Sequence, residues 1–415
     1  MRPGPPQRPL RGLPGIASDA AACAIRLGDP EGAAALLEQG RGILLAQALD
    51  ARTDISDLAR RHPERAARLT ALMAERSAEP SGLPTETPAS PVPALGTGRP
   101  AERRQAAGLE LERLLDEIRR DPQDAGFLRP PEPAELRAAA QDGPVVLANV
   151  SQYGSHARHP AAAPVVVGDR TARHAAAARG HPARPGPRLA VLDLVTSSYT
   201  PTLRALTHAR RRAAGTASGP ALAVCMARTP GHRDLPGSAD ELRLLGEVFK
   251  DALTALSGAD ARRTDILSEL PGHAFAHFAC HAVADPAAPS AGRLLVHDHR
   301  HRPLTVTDVI ALDLPRAELA FLSACETART GPALVDESIH LGSAFQIAGF
   351  RQVVATLWPV SDRRAVHLAR TVYEAVARAG TTAVVPTALH ETVRRWRDTW
   401  PDHPSVWAVH VHSGA

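Results

Sequence analysis

From Leu189 onward, short apolar runs alternate with longer stretches whose apolar residues recur at three- and four-residue spacing. The runs Ala221–Met226, His273–Ala279, Arg293–Val296, Glu318–Ala324 and Gln352–Leu357 read as strands. The periodic stretches 239–256, 305–312, 337–348, 362–379 and 386–400 read as helices. Near-continuous apolar strands separated by amphipathic helices predict an α/β fold with a parallel-rich sheet covered by helices on both faces. In such sheets ligands bind beyond the carboxyl ends of the strands.

The N-terminal half is patterned differently. Residues 1–17 carry no apolar period and are expected to be disordered. Over 18–77 the period is helical: Ala21, Ala24 and Ile25, then a restart at Asp29-Pro30-Glu31 running through Ala34, Leu37, Ile43, Leu44 and Leu49. A third piece carries Leu58, Ala67, Leu69 and Leu72. Small residues at the contacts of paired helices are what the end of a helical-repeat array looks like, here as a remnant or cap. Repeated prolines (Pro80, Pro84, Pro88, Pro91, Pro93, Pro100) mark residues 78–104 as a linker. A helix through Leu109, Leu111, Leu115 and Ile118 follows, then a strand over Pro144–Val150. These elements open a second domain over 105–415. Within it, residues 156–187 are rich in Ala, Arg, His, Pro and Gly, with only Val165-Val166-Val167 strand-like, and are expected to be poorly ordered or degenerate.

Composition narrows the function. The chain has 415 residues, 44% of them hydrophobic, enough for a sizeable core, but only 3% are aromatic, so Ala, Leu and Val must fill it. The net charge of +4 comes from arginines scattered among Ala and Pro, with Lys250 the only lysine. No basic stripe with interleaved aromatics is present, which argues against a nucleic-acid partner. No run approaches the roughly 20 apolar residues of a membrane span, and Met1–Gly15 lacks the apolar segment of a signal peptide. Cys23, Cys225, Cys280 and Cys325 are too scattered for a disulfide framework. A soluble cytoplasmic protein with free thiols is expected.

Two strand ends carry reactive groups. Phe278-Ala279-Cys280-His281-Ala282 delivers an imidazole, and Leu322-Ser323-Ala324-Cys325-Glu326 delivers a thiol. The His lies 325 − 281 = 44 residues upstream. A thiol protease needs both groups, the imidazole to help form the thiolate and then to protonate the leaving amine. Cys280 points opposite to His281 in an extended strand and reads as core, as does Cys225 within its strand; Cys23 lies on a helix. Polar residues follow Cys325 at once, which marks it as the nucleophile candidate. His273, His277 and His281 recur every four residues; on a strand they stand roughly 13 Å apart, too far for one metal ion. His297, Asp298, His299 and His301 read as a solvated turn. Asp285, Glu326, Asp336, Glu337 and Asp362 gather at the predicted mouth, either as solvated helix starts or as a pocket for a basic side chain.

Ala276–Ala282 with Asp285-Pro286 resembles the His motif of CHAT domains, caspase-like cysteine peptidases of clan CD that are often found behind tetratricopeptide repeats. Ala320–Thr327 resembles the Cys motif. Thr356–Asp362 resembles the downstream strand and turn beside the substrate cleft, and Leu235-Pro236-Gly237-Ser238 the first β–α connection. Leu36–Arg41 looks like the last repeat helix before such a domain, as in actinobacterial members. In caspase-like enzymes a Gly usually follows the His; here it is Ala282, whose N–H serves an oxyanion hole only if the backbone has no need of φ > 0.

The resemblance implies a caspase-like fold and a cysteine endopeptidase with His281 and Cys325 as its dyad. The N–H groups of Ala282 and Cys325 would hold the oxyanion, and Glu326, Asp336, Glu337, Trp358 and Asp362 would line the substrate site. No metal or organic cofactor is implied. The partners would be a protein or peptide substrate and a regulatory protein at the helical front, with neither nucleic acid nor membrane involved. The alternative from another class is a catalytically inactive interaction or scaffold protein on the same fold.

Overall fold

The computed structural model describes residues 15–40, 58–77, 98–124, 127, 133–141, 145, 147–151, 153–158, 191–211, 218–285, 289–324, 327 and 340–414. They fall into two compact units, Met1–Ala48 with Glu132–Ala415, and Leu49–Pro131. The first two helices of the stretch 18–77 therefore group with the sheet, and the third with residues 98–119.

The first unit opens with α1 (Ile16–Arg26) and α2 (Pro30–Gly40), which meet through Ala21, Ala33 and Leu37. The second unit is built on α3 (Pro63–Ser77) and α4 (Gly98–Arg119), where α4 starts inside the expected linker. Ion pairs Arg61–Asp124, Arg65–Glu117 and Arg68–Glu110 run in opposite order along the two helices, so the pair is antiparallel. Leu58, Leu69, Leu72, Leu111, Leu114, Ile118 and Phe127 form its core.

The chain then returns to the first unit with a hairpin, β1 (Leu147–Ser151) and β2 (Gly154–Arg158). Asn149 Nδ2 donates to the Ser18 carbonyl at 2.7 Å, tying β1 to α1. Residues 159–187, with the strand expected at Val165–Val167, lie outside the described residues. Next come α5 (Leu203–Arg211), β3 (Ala221–Cys225), α6 (Gly237–Phe249), β4 (Leu253–Ser257), α7 (Arg263–Glu269) and β5 (Phe275–Ala279). The strands β6 (His281–Val283), β7 (Arg293–Leu295) and β8 (Leu304–Thr305) follow, then α8 (Val306–Ile310), β9 (Leu319–Leu322), α9 (Leu341–Ala348) and β10 (Gln352–Thr356). The chain ends with α10 (Asp362–Ala379), α11 (Val385–Thr399) and β11 (His410–Gly414).

Six strands form one sheet in the order β11-β10-β9-β5-β3-β4, parallel except for the β10–β11 pair. β4 lies on one side of β3, and the chain returns on the other side to β5 and β9. The strand order therefore switches direction between β3 and β5, and in open α/β sheets ligands bind at the carboxyl ends beside such a switch. Ala221, Ala223 and Ala279 present only methyl groups on one face, so Leu244 and Leu245 of α6 and Leu368, Val372 and Tyr373 of α10 pack close to it. On the other face Phe345 of α9 meets Phe278 with ring centroids 5.1 Å apart.

Three elements depart from the sequence reading. The stretch 239–256 is not one helix: α6 stops at Phe249, Lys250 turns with φ 49°, and Leu253–Ser257 forms an edge strand. Its alternating exposure is masked in the sequence by apolar residues that also suit a helix. The run Arg293–Val296 does not join the main sheet but forms a small antiparallel sheet with β6 and β8. β11 went unread because His410, His412, Ser413 and Gly414 are not strand formers; each is buried by its place beside β10.

Candidate functional site

β5 and β9 are adjacent and parallel, with Phe278 opposite Leu322. His281 and Cys325 each lie three residues beyond that pair (281 − 278 = 3; 325 − 322 = 3). The two motifs thus follow strands that are neighbours, about 4.8 Å apart, at equal sequence offsets from a paired position. Cys325, with Glu326, Asp336 and Glu337, lies outside the described residues, while the residues flanking Cys325–Glu326 are described and tightly held.

His281 opens β6, directly after the bend at Cys280. Its Nε2 stands 2.7 Å from the Arg233 carbonyl oxygen, which can only accept, so Nε2 carries the proton and Nδ1 keeps its lone pair. Its ring centroid lies 5.3 Å from that of His232, which lies 5.8 Å from that of His299. His299 is buried, with Nδ1 bonded to the Val296 carbonyl at 2.8 Å, so it is no part of a solvated turn. Burial, then the neighbours His281, His299 and Arg300, hold the His232 pKa below the usual imidazole value.

The Cys325 segment is anchored from β10. Buried Thr356 donates its hydroxyl to the Ala324 carbonyl, while its backbone N–H donates to Thr327 Oγ1 at 2.8 Å. One side chain and its own amide therefore grip both flanks of Cys325–Glu326. The Thr327 carbonyl in turn accepts from the Gly342 N–H at 2.9 Å, at the start of α9. His340 caps that helix: its Nδ1 accepts from the Ser343 N–H at 3.1 Å, and Ser343 Oγ accepts from the His340 N–H at 2.9 Å.

Beneath the strand ends runs a buried polar network. Glu241 of α6 places Oε2 2.7 Å from His277 Nε2, and Oε1 accepts from Ser323 Oγ at 2.9 Å. The other ring nitrogen of His277 lies 3.1 Å from the Tyr373 hydroxyl, and its ring stacks on Phe321 at 5.1 Å. Ser323 is two residues before Cys325 and His277 four before His281, so one carboxylate ties together the two strands that carry the candidate dyad. Burial, then the charge of Glu241, pushes the Tyr373 hydroxyl well above its ordinary pKa and the Cys225 thiol up to about 12. Cys225 is thus an inert core thiol. Cys280 is buried too, and Cys23 is exposed on α1. His273 has its own partners, the Glu269 carbonyl at 2.7 Å and Thr254 Oγ1 at 2.8 Å, so it shares nothing with His277 or His281.

Ala282 lies in extended backbone opposite Leu294, outside the left-handed region, so its Cβ imposes no strain. Trp358 follows β10 and donates Nε1–H to the Ser405 carbonyl at 2.9 Å, with its ring against the core. Asp362 accepts from the Gly237 N–H at 3.1 Å, fastening the start of α10 to the start of α6. A Cβ on Gly237 would come within 2.5 Å of the Asp362 Cβ, which explains the glycine of Leu235-Pro236-Gly237-Ser238.

The residues that sequence reasoning missed are Glu241, Thr356, His340 and the partners of His281, His232 and His299. A glutamate on an amphipathic helix and a threonine closing a strand carry no local signal of their tertiary partners.

Comparison with known proteins adds the following. No curated protein matches the chain. Among solved structures, separase in the Saccharomyces cerevisiae separase–securin complex is similar at 12% identity and a TM-score of 0.38, covering 53% of this chain and 14% of that one. The Arg-specific cysteine proteinase gingipain R is similar at 13% identity and a TM-score of 0.33, covering 48% of this chain and 46% of that one. The complex of Porphyromonas gingivalis gingipain pro- and mature domains gives 14% identity and a TM-score of 0.35, covering 51% of this chain and 52% of that one. The chain therefore spans about a seventh of separase and about half of the gingipain chains. The model of the CHAT domain matches residues 176–415, more than half of the sequence and all of the main sheet. This chain belongs to the CHAT domain family.

Proposed function

We propose that the chain is a caspase-like cysteine endopeptidase in which Cys325 is the nucleophile and His281 its acid–base partner. The observation that supports this most directly is the shared three-residue offset of His281 and Cys325 beyond the paired Phe278 and Leu322. The Arg233 carbonyl fixes the imidazole with Nδ1 as the basic nitrogen. His281 takes the thiol proton as the sulfur adds to the peptide carbonyl, with the N–H groups of Ala282 and Cys325 holding the oxyanion. The imidazolium then protonates the departing amine. A water, deprotonated by His281, releases the acyl group and regenerates the thiol. The substrate is a protein or peptide, with basic residues preferred through Glu326, Asp336, Glu337 and Asp362 and with Trp358 at the cleft wall. Of the helical front, α1 and α2 offer a repeat-derived surface to a regulatory protein, supported by the exposed Ile16 and Leu27 at the two ends of α1.

The test is labelling with a peptidyl acyloxymethyl ketone followed by peptide mapping. Modification at Cys325 that disappears in His281→Ala supports the peptidase. Labelling that is absent, or confined to the exposed Cys23, supports an inactive interaction module on this fold.

A further inference from the structure

Where α3 meets the turn after α4, three potential ligands converge: His62, Asp121 and Asp124 each offer a donor atom within 4.8 Å of the others. His62 precedes Pro63, the first residue of α3, and its carbonyl accepts the Ala66 N–H, so it is the N-cap residue. Its Nε2 lies 3.7 Å from Asp121 Oδ2. The other Asp121 oxygen accepts from the Gln123 N–H at 3.0 Å, which orients the carboxylate.

Asp124 supplies the independent observation. It is 3% exposed, and one oxygen pairs with Arg61. The second, Oδ2, is fully buried and has no hydrogen-bond partner among the described residues. A buried carboxylate oxygen left bare carries an unrelieved desolvation cost. His62 and Asp121 each keep about a third of their side-chain surface exposed, 36% and 34%, which leaves a route in from solvent.

We propose that His62, Asp121 and Asp124 bind a divalent transition-metal cation of the zinc class, with water completing the shell. One imidazole nitrogen and two carboxylate oxygens suit such an ion, which is bound at about 2.0–2.2 Å; tetrahedral ligands then stand about 3.4 Å apart, within reach of small side-chain rotations. Asp124 Oδ2 gains the partner it lacks, and Arg61 on the other oxygen fixes the carboxylate from behind. The ion joins the start of α3 to the turn after α4 and so clips together a unit whose core is small. It takes no part in the chemistry at His281 and Cys325.

The experiment uses the full chain, stripped by a chelator and titrated with Zn2+ alone. Calorimetry and metal analysis give stoichiometry, and hydrogen exchange gives location. The expected result is a site of micromolar or tighter affinity, weakened about tenfold or more in both His62→Ala and Asp121→Asn. Zn2+ is also expected to slow exchange in residues 58–72 and 111–124 of the wild type and not of the variants. Mg2+, which disfavours imidazole, should do neither. Other histidines can bind zinc adventitiously, so the variants decide. Affinity and stoichiometry equal in wild type and both variants, or protection confined to segments such as 297–301, would overturn the proposal.

Discussion

His277 Nε2 lies 2.7 Å from Glu241 Oε2, and both side chains are almost wholly buried beneath the strand ends that carry the candidate dyad. Neither group has water to fall back on, so each depends on the other, on Ser323 and on Tyr373. Removing one partner of such a pair leaves the rest desolvated and unpaired, at a cost of about 3–5 kcal/mol. Glu241→Ala is therefore expected to lower the urea midpoint sharply with little change in m. A loss below about 1 kcal/mol would show that the network is dispensable. Ser323→Ala removes a single hydrogen bond to the Glu241 carboxylate and should cost about 1.5–3 kcal/mol, which places it below Glu241→Ala.

Thr356 offers a cleaner separation of stability from reactivity. Thr356→Val keeps the shape but removes the hydroxyl that the Ala324 carbonyl accepts. The stability cost is expected at about 1–3 kcal/mol, since a buried acceptor loses its partner. The rate of Cys325 modification should fall by about tenfold or more, because this hydroxyl holds the carbonyl of Ala324, the residue just before it. Thr356→Ser retains the hydroxyl and should restore most of the rate. Equal labelling rates in all three proteins would show that the brace plays no part in presenting the thiol.

The alternating apolar runs and helical periods are enough to read the sheet of β3, β5, β9 and β10, because a strand buried on both faces is largely apolar. They failed where tertiary context overrides local pattern. Leu253–Ser257 suits a helix as well as a strand, and only the turn at Lys250 separates it from α6. β11 is buried through pairing with β10 although its residues are polar. At the site, His281 stood out because it follows an apolar run, whereas Glu241 looks like any solvated helix glutamate. His299 reads as a turn residue because its packing against His232, far upstream in the sequence, leaves no local signal.

Two buried histidines give stability a defined pH dependence. Burial holds His340 down to about 4, against an opposing contribution from the Thr327 carbonyl, and holds His412 down to about 3. His412 is wedged between Ser198 Oγ at 2.7 Å and Gln352 Oε1 at 2.6 Å, and His340 must keep Nδ1 bare to cap α9. The folded state refuses protons that the unfolded chain accepts near 6.5. Their contribution is therefore intact above about pH 6.5 and lost as the pH falls toward 4 for His340 and toward 3 for His412, at about 1.4 kcal/mol per pH unit for each site. Urea midpoints measured from pH 7 to 4 should decline accordingly. His340→Asn, which caps without titrating, should flatten the slope between pH 6 and 4.5. An unchanged slope in that variant would mean that the acid sensitivity arises elsewhere.

Specificity rests on how many carboxylates at the mouth remain to meet a substrate. Asp362 already accepts from the Gly237 N–H, which leaves Glu326, Asp336 and Glu337 as the chief candidates for receiving a guanidinium or ammonium group. Among the described residues, His232, His281 and His299 gather close to Arg300, whose charge would favour an acidic substrate side chain there. Charge-assisted bonds of about 1.5–3 kcal/mol each would make cleavage after Arg or Lys at least about tenfold faster than after Asp. A positional-scanning fluorogenic library on the purified chain measures this, and Asp336→Ala with Glu337→Ala should erase most of the preference while leaving Cys325 reactive toward a small thiol reagent. Turnover confined to Asp-type substrates would place the recognised side chain against the imidazole cluster and reduce the acidic residues to helix starts.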